Sequence, residues 1–444
     1  MPYGVATRLG TAPIGYLETH LVTLIDDTKG RFLYQAYQAQ ADIMATFRDV
    51  AGFALQGFGQ LRDCNPALAN AKPVRSLEAG YELLGRVGLT HERPPWAIPS
   101  VRVGRREVAV REEATDVQPF GTLLHFAKET DGRPLPPAPK VLLVAPLSGH
   151  FATLLRGTVQ TLLPEQDVWV TDWHNARDVP LADGSFGFDA YIEYLIHWLE
   201  VLGPETHVIA VCQPCVAALV ATAVMSEAGN DSTPRTLTLM AGPIDTRVDP
   251  TVVNTLATGR PLSWFERNVI STVPMRFAGA RRPVYPGFLQ LTSFVTMNLD
   301  RHLSAHRDLY RHLVEGDDVA ADVTRAFYDE YFAVLDLSAE FYLETVQYVF
   351  QEHRLARGAL EFHGRPVDPA AIRHTALLTV EGERDDICSP GQTFPAHDLC
   401  SSIKPMRKRH HLQPGVGHYG VFNGRRWQQQ IYPLVRNLIL ANTV

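Results

Sequence analysis

The chain predicts an α/β fold, a doubly wound and mostly parallel sheet with a helical block inserted before its last strands. Three observations predict it. The runs "VLLVAPLSG", "DVWVTDW", "HVIAVC", "TLTLMAGP" and "ALLTVEGE" are continuously apolar, as strands covered on both faces require, and helical stretches separate them. Ahead of them, "SVRVGRREVAVREEATDVQPFGTLLHFA" alternates in period two around the turn "GRRE" and reads as antiparallel strands that open the sheet. Between Asp245 and His363 no strand-like run occurs, only helical patterns such as "RAFYDEYFAVLDLSAEFYLETVQYVFQEHRL". That block holds 16 of the 41 aromatic residues, which suits either a cap over an apolar substrate or a plain structural subdomain.

Taken in order, the pattern is helical from about Tyr16 to Asp63, and "ANAKPVRSLEAGYELLGRVGL" adds a further helix before the proline-rich break "ERPPWAIPS". In the first of these helices Phe47, Val50, Ala51, Ala54, Phe58 and Leu61 share one face, with Arg48, Asp49, Gln56 and Gln60 off it. Gly52, Gly57 and Gly59 weaken the helix, so it needs a cover for its apolar face. That cover is the sheet, a second subunit in a homo-oligomer, or an external apolar surface. The linker "DGRPLPPAPK" then leads into the parallel strands. The expected division is a helical region over 1–98, the first part of the sheet over 99–245, a helical cap over 246–365 and the last strands over 366–444.

A chain of 444 residues with 45% apolar and 20% charged content is globular, and it is long enough for one large domain with an insertion. A net charge of -7 argues against nucleic-acid binding. The one basic run, "KPMRKRHH", reads as a solvated strand edge. Five cysteines scattered through a long chain do not form a secreted disulfide framework, so a reducing cytoplasm is expected. The first residues lack the charged and apolar regions of a secretory signal, and no window approaches a transmembrane span. No metal-ligand spacing stands out.

"HVIAVCQPCVAALVA" takes a buried strand into a helix through two cysteines. This is where hydrolases of the α/β class hold a nucleophile, usually as G-x-S-x-G, and the residues two before and two after it must be compact. Cys212 meets the condition with Ala210 and Pro214, and proline in the first helical turn forfeits no hydrogen bond. Cys215 would have bulky Gln213 before it, and reads instead as a small residue packed on the helix. A thiol nucleophile needs a base and an orienting carboxylate. "VEGERDDI" offers Asp385 and Asp386 after a strand, and "PGVGHYGVF" offers His418 in a later loop, in the nucleophile, acid, histidine order of the class. Spacing does not choose between the two aspartates. The loop "VAPLSGH" follows the third strand of that fold, so the Leu147 N–H and the Gln213 N–H are the expected oxyanion donors, with Ser148 and His150 as supports.

These residues resemble a known family. "APLSGHFATLLRGTVQTLLPEQDVWVTDW", "VCQPCVAAL", "VYPGFLQL", "FYDEYFAVLDLSAEFYLETVQ", "TVEGERDDI" and "GHYGVFNGRRW" are similar to the intracellular poly(3-hydroxybutyrate) depolymerases, from roughly Ala79 to Leu438. The resemblance implies an α/β-hydrolase fold, a Cys212, Asp385, His418 triad, and a cytoplasmic enzyme working on storage-polyester granules. No cofactor is expected; an acyl-cysteine is a thioester, so coenzyme A could in principle replace water as acyl acceptor, with hydrolysis the default. The competing readings are a small-ester or thioester hydrolase, a polyester synthase, which typically has glycines after its cysteine, and a granule-coat protein without activity.

Overall fold

The computed structural model describes residues 30–130, 132, 134–297 and 299–443. The start of the first expected helix, from Tyr16, lies outside these residues. In chain order the main elements are α1 (Gly30–Cys64), α2 (Lys72–Gly85), β1 (Ser100–Val103), β2 (Arg106–Gln118), β3 (Gly121–Lys128), β4 (Lys140–Val144) and β5 (Asp167–Trp173). Then come α3 (Phe188–Leu202), β6 (Thr206–Val211), α4 (Pro214–Glu227), β7 (Thr236–Met240), α5 (Leu299–Glu315), α6 (Asp318–Tyr331), β8 (Ala376–Gly382) and β9 (Lys408–Gln413).

The nine strands form one sheet in the order β1-β2-β3-β5-β4-β6-β7-β8-β9. The first three are antiparallel to their neighbours and every pair from β5 onward is parallel. This is the α/β-hydrolase arrangement. Strands β6, β7 and β8 are buried at every position, which is why they read as unbroken apolar runs, whereas β2 alternates because one face is wet. The second half of the basic run, from Lys408, enters β9, an edge strand with half of its side chains exposed. Charged side chains on an edge discourage further strand pairing.

From β4 the chain steps sideways to β5 and then returns across β4 to β6, so the strand order reverses between β4 and β6. A crevice opens at the carboxyl ends of strands where such a reversal occurs. Val144 is the register partner of Ala210, so the loops leaving β4 and β6 start side by side at that crevice.

The stretch from Asp245 to His363 was expected to lack strands, and here the structure differs. Pro283–Tyr285 pairs with Leu337–Ser338, and Glu361–Phe362 pairs with Arg365–Pro366. Pieces of two or three residues are too short to show a period of two.

The chain forms two compact units that do not follow chain order. One gathers the described residues up to Gly88 with Arg267–Ser271 and Leu289–Arg325, and the other holds Leu89–Glu266, Thr272–Phe288 and the described residues from Ala326 on. In the smaller unit α2 packs against both α1 and α5. A bidentate pair adds to it, with Arg325 Nε 2.6 Å from Glu82 Oε1 and Nη2 2.7 Å from Oε2. Burial pushes the Glu82 carboxyl up, but Arg325 and Arg86 outweigh it and hold the group below its ordinary value.

The apolar face expected on α1 is split. Ala51 is fully buried, a Cβ at Gly85 of α2 would sit 3.6 Å from its methyl, and Phe58 lies 6.0 Å from the Tyr81 ring. Phe47 and Val50 instead lie exposed beside Ile43 and Phe53, and Phe53 is 80% exposed. A helix with apolar residues on two sides gives one broad stripe in sequence, and only packing divides it. The three glycines leave α1 continuous, and each faces open space. No helix among the described residues is long and apolar enough to cross a membrane. Ala51→Leu should overpack the α1–α2 contact and cost about 1–3 kcal/mol. Phe53→Ser should stay within about 0.5 kcal/mol of wild type in urea denaturation, because that ring buries almost nothing.

Candidate active site

Cys212 directly follows β6 and has a backbone φ of 67°, a left-handed conformation that only a forced turn imposes on a residue with a Cβ. Its N–H donates to the Met240 carbonyl at 2.8 Å, and α4 starts two residues later with Pro214 in its first turn. The turn is so tight that a Cβ on Gly242 would lie 2.2 Å from Cys215 Cβ and 3.1 Å from the Cys212 carbonyl oxygen. The thiol of Cys212 is half-buried. Cys215 is fully buried, its thiol directed to the Ala210 carbonyl at 3.3 Å, and burial pushes that thiol well above its ordinary pKa. Burial does the same for Cys388, and it raises Cys400 to about 12.

The loops after β8 and β9 carry the other two groups to the same end of the sheet. His418 Nδ1 donates to Asp385 Oδ2 at 2.7 Å, and both side chains are buried. The second oxygen of Asp385 accepts the N–H groups of Ile387 at 2.9 Å and Cys388 at 2.8 Å, so the carboxylate is held at both oxygens. Asp386, which spacing alone could not separate from it, is exposed. Burial works against the His418 imidazolium, but the Asp385 carboxylate and the Cys212 sulfur outweigh it, by charge and by hydrogen bonding, and hold the ring well above the usual histidine value. Since Nδ1 is engaged with Asp385, Nε2 is the atom left for Cys212.

Leu147 and Gln213 flank the crevice on the β4 and β6 loops. Among the described residues neither backbone N–H has an acceptor, as oxyanion donors require. The β4 loop is pinned on several sides. Ala145 N–H donates to Thr171 Oγ1 at 3.0 Å, Trp173 Nε1 donates to the Ala145 carbonyl at 2.9 Å, and Leu335 N–H donates to the Gly149 carbonyl at 3.0 Å. Ser148 is half-buried in this loop. His150 is buried, donates from Nε2 to the Tyr331 carbonyl at 3.2 Å and is pushed down by burial to a pKa of about 4. It is therefore a neutral support at neutral pH. Among the described residues no group of three or more side chains could hold a metal ion.

Sequence reasoning missed three supports. Glu381 is buried and accepts the N–H groups of Gly391 at 2.8 Å, Thr393 at 2.7 Å and Phe394 at 3.0 Å. Thr393 in turn accepts from Gly242 N–H at 2.8 Å and donates to the Gly242 carbonyl at 2.9 Å, which fixes the glycine that closes the elbow. A carboxylate inside the apolar run "ALLTVEG" was the available signal. The third support is aromatic, with Tyr419 beside His418, Phe327 and Tyr331 each 6.3 Å from Tyr419, and Tyr331 5.4 Å from His150. Phe327 and Tyr331 come from the expected cap and reach Tyr419, the neighbour of the His418 ring, and Tyr331 also reaches His150 of the β4 loop.

Asp385→Asn should lower catalysis by roughly 10⁴-fold, because the amide no longer fixes the histidine tautomer, while Asp386→Asn should change the rate only slightly. The upward pull on His418 also goes, so its ring should titrate lower in a two-dimensional NMR titration. A raised histidine stabilises the fold fully below about pH 6.5 and loses that contribution as pH rises through its folded value. The variant should therefore lose stability mainly on the acidic side.

Residues 241–443 match a family model described as "PHB de-polymerase C-terminus". No curated protein matches the chain. Similar solved structures include a monoacylglycerol lipase of Paleococcus ferrophilus, at 12% identity and a TM-score of 0.37, covering 69% of this chain and 96% of that one. A 2-hydroxy-6-oxo-6-phenylhexa-2,4-dienoate hydrolase of Rhodococcus sp. strain RHA1 is similar at 13% identity and 0.39, covering 75% and 99%. An alpha/beta hydrolase of Penicillium sp. sh18 is similar at 12% and 0.41, covering 76% and 99%. The order and direction of the strands make this an α/β-hydrolase fold, and residues 241–443 are similar to the PHB de-polymerase C-terminus family.

Proposed function

We propose that the chain is an ester hydrolase that cleaves an intracellular poly(3-hydroxybutyrate)-type storage polyester through an acyl-cysteine on Cys212. The observation that carries the reading is the left-handed turn at Cys212, at the reversal of strand order, combined with the 2.7 Å bond between His418 and Asp385. His418 takes the thiol proton and the sulfur attacks an ester carbonyl, whose oxyanion receives the Leu147 and Gln213 N–H groups. The intermediate collapses and expels the alcohol end of the polymer, which takes the proton from His418. Water, deprotonated by the same histidine, then attacks the 3-hydroxyacyl thioester to release the acid and the thiol. Coenzyme A would use the same base and carry the acyl group away as a new thioester. A cytoplasmic, granule-associated setting follows from such a substrate. Gln213, Pro214 and Cys215 in place of glycines after the nucleophile disfavour a synthase.

Cys212→Ala should abolish product release from amorphous polymer granules, by about 10³-fold or more, whereas Cys215→Ala should keep most of it and lose stability. The reverse ranking would move the nucleophile to Cys215. Turnover of a p-nitrophenyl ester without release from granules would leave a small-ester hydrolase, and an acyl product that appears only with coenzyme A would identify that acceptor.

For the granule, the reading rests on the exposed stripe Ile43, Phe47, Val50 and Phe53, whose rings and branched chains offer an apolar surface to an insoluble polyester. The double replacement Phe47→Ser and Phe53→Ser should reduce co-sedimentation with granules and lower the ratio of granule to soluble-ester turnover. An unchanged ratio would remove α1 from the contact.

A further inference from the structure

We infer that the side-chain amide of Gln213, as distinct from its backbone N–H, reads the oxygen on the third carbon of the acyl group and so selects 3-oxygenated acyl esters over plain hydrocarbon ones. The inference rests on the ester-hydrolase reading. Gln213 is only 7% exposed, yet among the described residues neither its amide nitrogen nor its amide oxygen has a hydrogen-bond partner. It occupies the cap position of α4, where Ser, Thr, Asp or Asn would bond back to the helix, and its side chain makes no such bond. A buried amide without partners destabilises the free protein, while an apolar chain of the same shape would not. Sealing an amide at this position therefore serves something other than the packing of α4.

Its place suggests what that is. Gln213 is one peptide from the nucleophile, about 3.8 Å between Cα atoms. In an acyl-cysteine the oxygen on the third carbon is four covalent bonds from the sulfur, within the reach of a side chain on the next residue. The amide offers one donor group and one acceptor. A free 3-hydroxyl, as at a chain end, satisfies both. An internal ester unit, whose oxygens only accept, satisfies the donor. A hydrocarbon chain satisfies neither and leaves the amide stranded, and a site built this way rejects the analogue that lacks the polar group.

The test compares kcat/KM for the p-nitrophenyl esters of butyrate, 3-hydroxybutyrate and 3-acetoxybutyrate. Each variant is judged by ratios between esters, so a general disturbance of the elbow cancels. Wild type should favour both oxygenated esters over butyrate by about tenfold or more. Gln213→Met should bring both ratios close to one without lowering Tm, since it removes an uncompensated amide and keeps the volume. Gln213→Glu, assayed at a pH where its carboxyl is ionised and so an acceptor without the donor, should keep the preference for 3-hydroxybutyrate and lose that for 3-acetoxybutyrate. Wild type that treats the three esters alike overturns the inference and leaves the hydrolase reading intact. Gln213→Met with unchanged ratios and a lower Tm would show an amide that serves only the fold. A folded wild type that cleaves none of the esters overturns the hydrolase reading and this inference with it.

Discussion

Everything at the site depends on the backbone of Cys212 being held on the left-handed side of φ. For a residue with a Cβ that conformation costs on the order of 1–2 kcal/mol, and it persists only if the surroundings dictate it. Here they do. The strand before the turn is locked between β4 and β7, the helix after it begins with a proline, and Gly242 lets the end of β7 approach to where any side chain would collide. The turn leaves the Cys212 thiol half-buried and, among the described residues, the next backbone N–H without an acceptor. The proposed nucleophile and the proposed oxyanion donor are two results of one strained dihedral.

The rest of the sheet end serves to keep charge in place with little water. Asp385 is saturated by two backbone N–H groups and a histidine, which leaves it no freedom to rotate. Glu381, one strand turn earlier, is saturated by three backbone N–H groups and works mechanically, drawing the 391–394 segment against Gly242 through Thr393. Two buried carboxylates, one on β8 and one in the loop after it, thus have different tasks: Asp385 takes a histidine N–H at 2.7 Å, while Glu381 takes backbone N–H groups and has His410 only at 3.8 Å.

The parallel strands were legible because burial on both faces leaves an unbroken apolar run, and the tight turn at Cys212 was legible because such a turn admits only compact neighbours. Asp385 and Asp386 differ by one position, and only the turn after β8 decides which faces the histidine. Glu381 and Thr393 were invisible as partners because their hydrogen bonds go to backbone atoms, which carry no residue identity. The division of α1 into a packed and an exposed face was hidden for another reason. Its partner α2 follows it closely in the chain, but which side of α1 that helix covers is set by packing and leaves no mark in the apolar pattern.

The α5 contact on α2 joins residues more than two hundred positions apart, and that separation bears on how the chain is made. Helices α1 and α2 leave the ribosome early, but α5 and Arg325, which complete their unit, follow only after most of the sheet has been synthesised. At translation speeds of about 5–20 residues per second the delay is ten seconds or more. During it the α2 surface destined for α5 stands open beside the Ile43, Phe47, Val50 and Phe53 stripe. The nascent chain is therefore most prone to self-association while the sheet is still being made, and its yield should be limited by how well a holding chaperone covers those first helices until Arg325 arrives.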